Sequence, residues 1–379
     1  MTSFSALGIA PIVESVLAAD GITEPTPIQV QAIPALLAGS SAYLNSETGT
    51  GKTLAYLLPA FARIDPSQRT LQVIVVVPTH ELAMQICEVG SDLARKSALE
   101  IRLQALIGGV SPKRQLEKLK SKPHVVVGTS GRINELIDSR KLKPHTVSVI
   151  VIDEVDRLLL GDSLAAIQSI IRSTPHQRQL VFASATQRSE TSKEAEALAP
   201  DLVQIRAGAA KVNPAIDHFY IECEERDKPD VLRKLLHALR PERAIVFMHR
   251  NANAEEITGK LAYHHIPVAD LHGAQDSALR KQAMDDFRTA QANVLIASDI
   301  AARGLDIKGL THVFNFDIPT HSKDYLHRVG RTSRAGSKGC AVSLMTAQEV
   351  RLVKRYKSEL DIAMRAGRLH KGVFNVDEP

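Results

Sequence analysis

Short runs of β-branched and other apolar residues recur along the chain, separated by stretches with helix-like spacing. Leu71–Val77, His124–Val127, Val147–Ile152 and Gln179–Phe182 form one series. Arg243–Phe247, Asn293–Ile296, Thr311–Phe316 and Cys340–Leu344 form a second. These runs are apolar at consecutive positions, which suits parallel strands covered on both faces by helices. The pattern predicts an α/β fold of doubly wound, mostly parallel sheets with right-handed crossovers. Both series stop at Arg206–Asp217 (RAGAAKVNPAID), a small, Gly/Ala/Pro-bearing stretch that reads as a linker. The expected domains are therefore residues 1–207 and 208–379.

Composition narrows the function classes. A length of 379 residues with 44% hydrophobic content can support more than one packed core. No window approaches 18 uninterrupted apolar residues, so a membrane span is excluded. The N-terminal stretch has neither a secretion signal nor a transit peptide pattern. Cys87, Cys223 and Cys340 lie far apart, which points to free thiols in a reducing cytoplasm rather than disulfides or zinc. The 47 Lys and Arg against 42 Asp and Glu leave a mildly basic chain that permits a polyanionic partner. The absence of Trp and the 4% aromatic content argue against broad base-stacking platforms. Residues 101–150 concentrate 10 basic against 3 acidic residues.

Three motifs carry chemistry. Tyr43–Thr53 reads as strand, Gly-rich loop and helix start, with Thr48, Gly49, Thr50 and Gly51 turning backbone N–H groups toward phosphate oxygens. Lys52 would reach the β- and γ-phosphates and the Thr53 hydroxyl would ligate Mg²⁺. The strict phosphate-loop pattern has Gly where this chain has Ser46, and a chance Gly-rich turn is the competing reading. Val147–Ile152 runs into Asp153-Glu154-Val155-Asp156, at the strand end where open α/β sheets bind ligands. Asp153 would hold Mg²⁺ and Glu154 would orient or deprotonate water; a helix cap with first-turn acids is the alternative. Arg331 and Arg334 in HRVGRTSR are one helical turn apart and could address one anion. By itself that segment also reads as a solvated basic helix end.

In this order and spacing the motifs resemble the DEAD-box RNA helicases of superfamily 2, from Phe4 to about Thr346. The resemblance implies two RecA-like domains and RNA-dependent ATP hydrolysis coupled to local strand separation. By position, Gln29 would bond the adenine edge, with Phe4 as the upstream aromatic and Ile22 where an aromatic is usual. Pro78-Thr79-His80-Glu81 resembles PTRE with His80 for Arg. Gly108-Gly109 matches the glycine pair, and Thr129-Ser130-Gly131-Arg132 resembles TPGR. Pro78, Thr79, Gly108, Gly109, Thr129, Arg132 and Arg303 are thereby implied RNA contacts. Ser184 and Thr186, with Asp156 and His327, would couple hydrolysis to unwinding. In the second half Ser277 replaces a usual Gln ahead of Arg280, Asp306 would contact the ribose, and Arg331 and Arg334 the γ-phosphate. ATP and Mg²⁺ are the implied cofactors. The implied partner is single-stranded or short duplex RNA bound with little sequence preference. A cytoplasmic monomer without membrane contact or an auxiliary specificity domain is expected. Ser46, His80, Val155 and Ser277 depart from the family pattern and motivate a rival reading, an RNA clamp that binds ATP without turning it over. A DNA-directed helicase is a second rival.

Overall fold

Val73, Val75 and Val77 pack into one hydrophobic cluster while Ile74 and Val76, between them, pack into another. Successive side chains of a strand point to opposite faces, so this strand is covered on both sides. The computed structural model describes residues 2–46, 50–108, 112–185, 189–207, 213–249, 251–271, 277–302, 309–333 and 338–376. The chain divides into two compact units, Met1–Ala209 and Ala210–Pro379.

The first unit holds seven strands: β1 (Ala42–Asn45), β2 (Val73–Val77), β3 (Leu103–Leu106), β4 (Val125–Thr129), β5 (Val149–Asp153), β6 (Gln179–Ser184) and β7 (Val203–Arg206). Their order across the sheet is β3-β4-β2-β5-β6-β1-β7, and every pairing is parallel. Helices Pro11–Ala19, Pro27–Leu37, Lys52–Ala62 and His80–Lys96 cover one face through Leu17, Ile33, Leu57 and Ile86. Helices Ser130–Asp138, Asp162–Arg172 and Ser189–Leu198 cover the other through Ile133, Ile170 and Ala195.

The second unit holds β8 (Ile216–Glu222), β9 (Ala244–Phe247), β10 (Val268–Asp270), β11 (Val294–Ala297), β12 (His312–Asn315), β13 (Gly339–Met345), β14 (Met364–His370) and β15 (Val373–Val376). The order is β10-β11-β9-β12-β13-β8-β14-β15, parallel except for the antiparallel pair β14–β15. That terminal hairpin turns through Lys371 and Gly372, both at positive φ (48° and 78°). Two consecutive left-handed residues make the tight turn whose twist matches a hairpin.

Six strands escaped the apolar-run reading: β3, β7, β8, β10, β14 and β15. Each is short, half-polar or at an edge. β8 begins at Ile216, inside the stretch read as linker; its Asp217 and His218 interrupt the apolar run, although Ile216, His218, Phe219 and Ile221 are all buried. No helix among the described residues is long and apolar enough to cross a membrane. The three cysteines are free and partly buried. Burial pushes the Cys223 thiol up to about 11 and the Cys340 thiol up to about 12, so neither is a ready nucleophile.

His218 on β8 is 3% exposed and meets the Tyr325 hydroxyl at 2.8 Å. Burial pushes its imidazole down to about 4. The folded chain thus keeps His218 neutral where an unfolded one, titrating near 6.5, would charge it. The stability from a neutral His218 is complete above about pH 6.5 and is lost as pH falls through about 4, up to roughly 3 kcal/mol. Urea midpoints of the full chain, followed by circular dichroism between pH 7 and 4.5, should therefore fall with pH. His218→Gln should flatten that fall; an equally steep profile in the variant would assign the dependence to other groups.

Candidate nucleotide and RNA site

Because both sheet faces are buried, the carboxyl ends of the strands are where polar side chains gather in each unit. In the first unit the sheet order sorts them. β1, β5 and β6 lie on one side and end in Asn45, Asp153 and Ser184; β2, β3 and β4 lie on the other and lead into Pro78–Thr79, Gly108 and Thr129.

The nucleotide side is built on the turn from β1 into helix Lys52–Ala62. Gly51 caps this helix at φ +88°, and a Cβ added there would stand 2.4 Å from Gln29 Nε2. Only glycine fits both the backbone angle and the approach. Gln29 is 1% exposed. Its Oε1 accepts from the Thr26 N–H at 2.9 Å, and its Nε2 donates to the Gly51 carbonyl at 3.0 Å. The Q segment is thereby locked to the phosphate loop through one amide, with Thr26 and Gln29 forming a capping box at the start of helix Pro27–Leu37. Ser46 is tied in twice: its N–H donates to the Ser184 carbonyl at 3.1 Å, and its hydroxyl to Thr50 Oγ1 at 2.8 Å. The Lys52 ammonium donates to the Ser46 carbonyl across the loop. Thr53 is half-buried on the first turn. Thr48 and Gly49 lie outside the described residues.

Asp153 ends β5 with 6% exposure. Its Oδ2 accepts from the Tyr56 hydroxyl at 2.9 Å and its Oδ1 from the Glu154 N–H at 2.9 Å. Burial raises its carboxyl above the usual range, opposed chiefly by the Lys52 charge. The Tyr56 phenol, buried between Asp153 and Thr53, is pushed well above its ordinary value by desolvation. Glu154 sits at φ 56°, ψ 51°. A left-handed non-glycine residue costs about 1–2 kcal/mol. That kink turns the chain sharply from β5 into helix Val155–Leu158 and separates the paths of the two carboxylates. Asp156 accepts from Ser184 Oγ at 3.3 Å, so the acidic motif is tied to the end of β6. Thr186 lies outside the described residues. Among the described residues no group of three or more His, Cys, Asp or Glu is placed to hold a metal by itself.

Phe4 has no exposed surface and lies in the first core cluster, with its N–H donating to Glu14. The upstream aromatic position is thus filled by a ring packed in the core of the first unit. Ile22 packs on the same cluster.

On the other side of the sheet Val77 and Thr129 are register partners on adjacent strands. Thr79 caps helix His80–Lys96, accepting from the Leu82 N–H at 3.2 Å, and Thr129 precedes helix Ser130–Asp138. Gly108 lies beside His80: an added Cβ would be 3.4 Å from His80 Nε2. Gly109 is outside the described residues. The Arg132 side chain is 8% exposed. Its Nη1 donates to Glu135 at 2.6 Å and its Nε to Gln115 at 3.3 Å, while Gln115 in turn donates to the Ile107 carbonyl. Arg132 thus braces the loop that carries Gly108, and its buried Nη2 has no hydrogen-bond partner. Not all of the basic window faces solvent: Arg102 is spent on the Ser121 and Lys122 carbonyls, whereas Lys113 is exposed.

The second unit repeats the arrangement around Arg328, which is 1% exposed. Its guanidinium is bidentate to Asp299 (2.6 and 2.7 Å), donates to Asn315 at 3.1 Å and to the Asp317 carbonyl, and lies over the Phe247 ring. These partners sit at the ends of β11, β12 and β9, three neighbouring strands. His249 adds its backbone N–H to Asp317 Oδ2 at 2.6 Å. Helix Ser322–Val329 carries Arg328 and half-buried His327; Arg331 follows at 5% exposure, its N–H donating to the Arg328 carbonyl at 3.1 Å. Arg303, Asp306 and Arg334 lie outside the described residues.

The DEAD/DEAH box helicase model matches residues 26–195, and the helicase conserved C-terminal domain matches 227–336. The chain is 42% identical to the Bacillus cereus DEAD-box ATP-dependent RNA helicase CshC over 95% of this chain and 92% of that one. It belongs to the DEAD-box helicase family. It is also 40% identical to the probable ATP-dependent RNA helicase YfmL of Bacillus subtilis, covering 91% of each. The structure of S. cerevisiae Dbp5 bound to RNA and ADP BeF3 is 30% identical, with a TM-score of 0.87 over 97% of this chain and 95% of that one. Both units of this DEAD-box protein are RecA-like.

Arg328 was not singled out from the sequence, where it is one cation among several in HRVGRTSR. Its neighbour Asp299 at the end of an apolar strand was the available signal. Tyr56, read as a core residue, is also a donor to Asp153. Removing one partner of a buried, hydrogen-bonded charge pair typically costs about 3–5 kcal/mol. Arg328→Gln should therefore lower the urea midpoint strongly while leaving the first unit's ATP-site residues in place; a wild-type midpoint would show that Asp299 finds another partner. Gly51→Ala should abolish binding of a fluorescent ATP analogue, since its Cβ displaces Gln29; unchanged affinity would mean the loop relaxes.

Proposed function

We propose that the chain hydrolyses ATP in response to RNA and uses closure of its two RecA-like units to open short RNA duplexes or remodel RNA–protein complexes. What carries the reading is the sorting of one sheet edge: an anion-binding loop and acidic pair on β1, β5 and β6, beside a separate row of partly open backbone and hydroxyl groups on β2, β3 and β4. A nucleotide and a nucleic-acid backbone can be held by one rigid framework.

Gln29 orients the adenine from its place against the phosphate loop, and Lys52 neutralises the β- and γ-phosphates. Asp153 and the Thr53 hydroxyl are hard oxygen donors converging on Tyr56, a set that suits Mg²⁺, which takes one or two protein ligands and fills its shell with phosphate and water. Asp153 and Thr53 would hold Mg²⁺ there, and it would supply positive charge against the charge developing on the phosphates. Glu154 orients a water in line with the γ-phosphorus and takes up its proton as the bond to the β-γ bridging oxygen breaks, leaving ADP and phosphate. Arg331 and Arg334 supply positive charge to the γ-phosphoryl when the units close, with Asp306 at the ribose. Ser184, Thr186, Asp156 and His327 link that event to the RNA side. Pro78, Thr79, Gly108, Gly109, Thr129 and Arg303 hold the RNA backbone, Arg132 acting through the Gly108 loop, so little sequence is read.

Two of the departures from the family pattern, Val155 and Ser46, are accommodated by the fold. Val155, in place of alanine in a DEVD form of the acidic motif, is fully buried in the second core cluster. The Ser46 hydroxyl is absorbed by Thr50. Steady-state ATPase with and without single-stranded RNA tests the proposal. Lys52→Ala should abolish turnover, and wild-type-like turnover in that variant would remove the phosphate-loop assignment. Arg331→Ala should keep ATP binding and lose turnover by about 10³-fold or more, the range for arginine fingers; an unchanged rate would show that the second unit does not complete the site.

A further inference from the structure

Residues 351–371 carry seven Lys and Arg against two Asp and Glu, an excess equal to the whole chain's formal net charge of +5. None of these residues takes part in the nucleotide or RNA contacts described above. They form helix Arg351–Leu360 and the hairpin β14–β15.

The helix buries Val353, Tyr356 and Leu360 against Tyr325, Met345 and Met364, and turns its other positions outward. One flank is neutralised: Arg355 pairs with Glu359 at 2.8 Å, and Glu359 also accepts from Ser322 on the neighbouring helix. The opposite flank carries Arg351, Lys354 and Lys357 at three-residue steps, all exposed. None of the three has an ion pair or hydrogen bond among the described residues. Like charges three residues apart destabilise a helix, and no acid interleaves them. The Ser322 contact fixes Glu359 toward the adjacent helix, away from the basic flank. The helix is followed by the sheet edge made by β14 and β15. There Arg368 and His370 alternate onto the same sheet face as Met364, which packs under the helix, and Lys371 occupies the hairpin turn; all three are exposed. Helix flank and hairpin thus both contribute exposed basic side chains to the surface of the second unit.

Its chemistry is specific in one respect. Tyr356, the helix's aromatic residue, is wholly buried, so the helix flank offers charge without an aromatic ring. That fits a phosphate backbone read by charge alone rather than splayed bases. We propose that this surface is a second RNA contact, which holds the backbone of RNA flanking the segment gripped by the strand-end residues. The inference rests on the RNA-dependent function proposed above.

The test uses fluorescence anisotropy of the full chain with a non-hydrolysable ATP analogue and two single-stranded RNAs. One is ~10 nucleotides, near the length of a single site, and the other is ~40, well beyond it. The variant R351Q/K354Q/K357Q should bind the long strand several-fold more weakly. Its slope of log affinity against log salt should fall by about 2, from about 0.7 per phosphate contact on single strands. Affinity for the short strand, and ATPase at saturating short strand, should stay at wild-type values. H370Q/K371Q should shift the long strand in the same direction by less, and it leaves the helix untouched. Unchanged long-strand affinity and slope in both variants would overturn the proposal and favour an acidic protein as the occupant. Equal losses on both strands would also overturn it, because the surface would then not be a flanking contact. Wild-type ATPase that no RNA stimulates would overturn the functional reading and this surface together, whereas stimulated wild type with unaltered variants sinks the surface alone.

Discussion

Burial of the parallel strands on both faces is the constraint from which the rest of the molecule follows. A strand such as Val73–Val77, with every side chain in a core, can carry no chemistry along its length. Polar function is pushed to the carboxyl end, where the chain leaves the sheet and enters a helix. The order β3-β4-β2-β5-β6-β1-β7 then does the sorting. Ser46, Asp153 and Ser184 come out on neighbouring strands and bond to one another's loops, and Thr79, Gly108 and Thr129 come out on the other half. The two groups of strand-end residues are thereby carried by one sheet, joined where β2 and β5 pair.

Within that frame the loops are held by a few side chains whose polar capacity is turned inward. In the first unit the Gln29 amide clamps the phosphate loop, and Tyr56 holds Asp153. In the second, Arg328 gathers the ends of three strands through Asp299, Asn315 and Asp317. A guanidinium this deeply buried is tolerable only because its partners are anionic or strongly dipolar and its plane lies on Phe247. Its removal would take two charge-assisted hydrogen bonds from Asp299, leaving the His249 imidazole 3.7 Å away. Arg331 lies one turn beyond Arg328 with its N–H donating to the Arg328 carbonyl, so the arginine proposed to meet phosphate is positioned by the buried one. Arg132 plays the comparable part in the first unit, acting through Gln115 on the loop that carries Gly108.

Much of the molecule was legible in the linear sequence. Runs apolar at consecutive positions identify the central strands because burial on both faces leaves no alternative pattern, and the phosphate loop, acidic pair and HRVGRTSR segment are contiguous, so their spacing is itself their geometry. Strands at or next to the edges, β3, β7, β10, β14 and β15, were not legible, since partly solvated strands accept polar residues and their strand character comes from the neighbour they pair with. The same holds for side chains whose role depends on what lies across the fold. Sequence cannot distinguish Arg328 from Arg331, or a phosphate-facing Arg132 from one turned onto Gln115, because identical residue types differ only in their burial. Phe4 matched a position in a pattern, yet packing placed it in the core. The sequence by itself determined the fold class, the chemistry of the nucleotide loop and the family. The tertiary structure alone decided which charges are spent inside the protein and which, as on helix Arg351–Leu360, are left facing water, because that depends on partners far away along the chain.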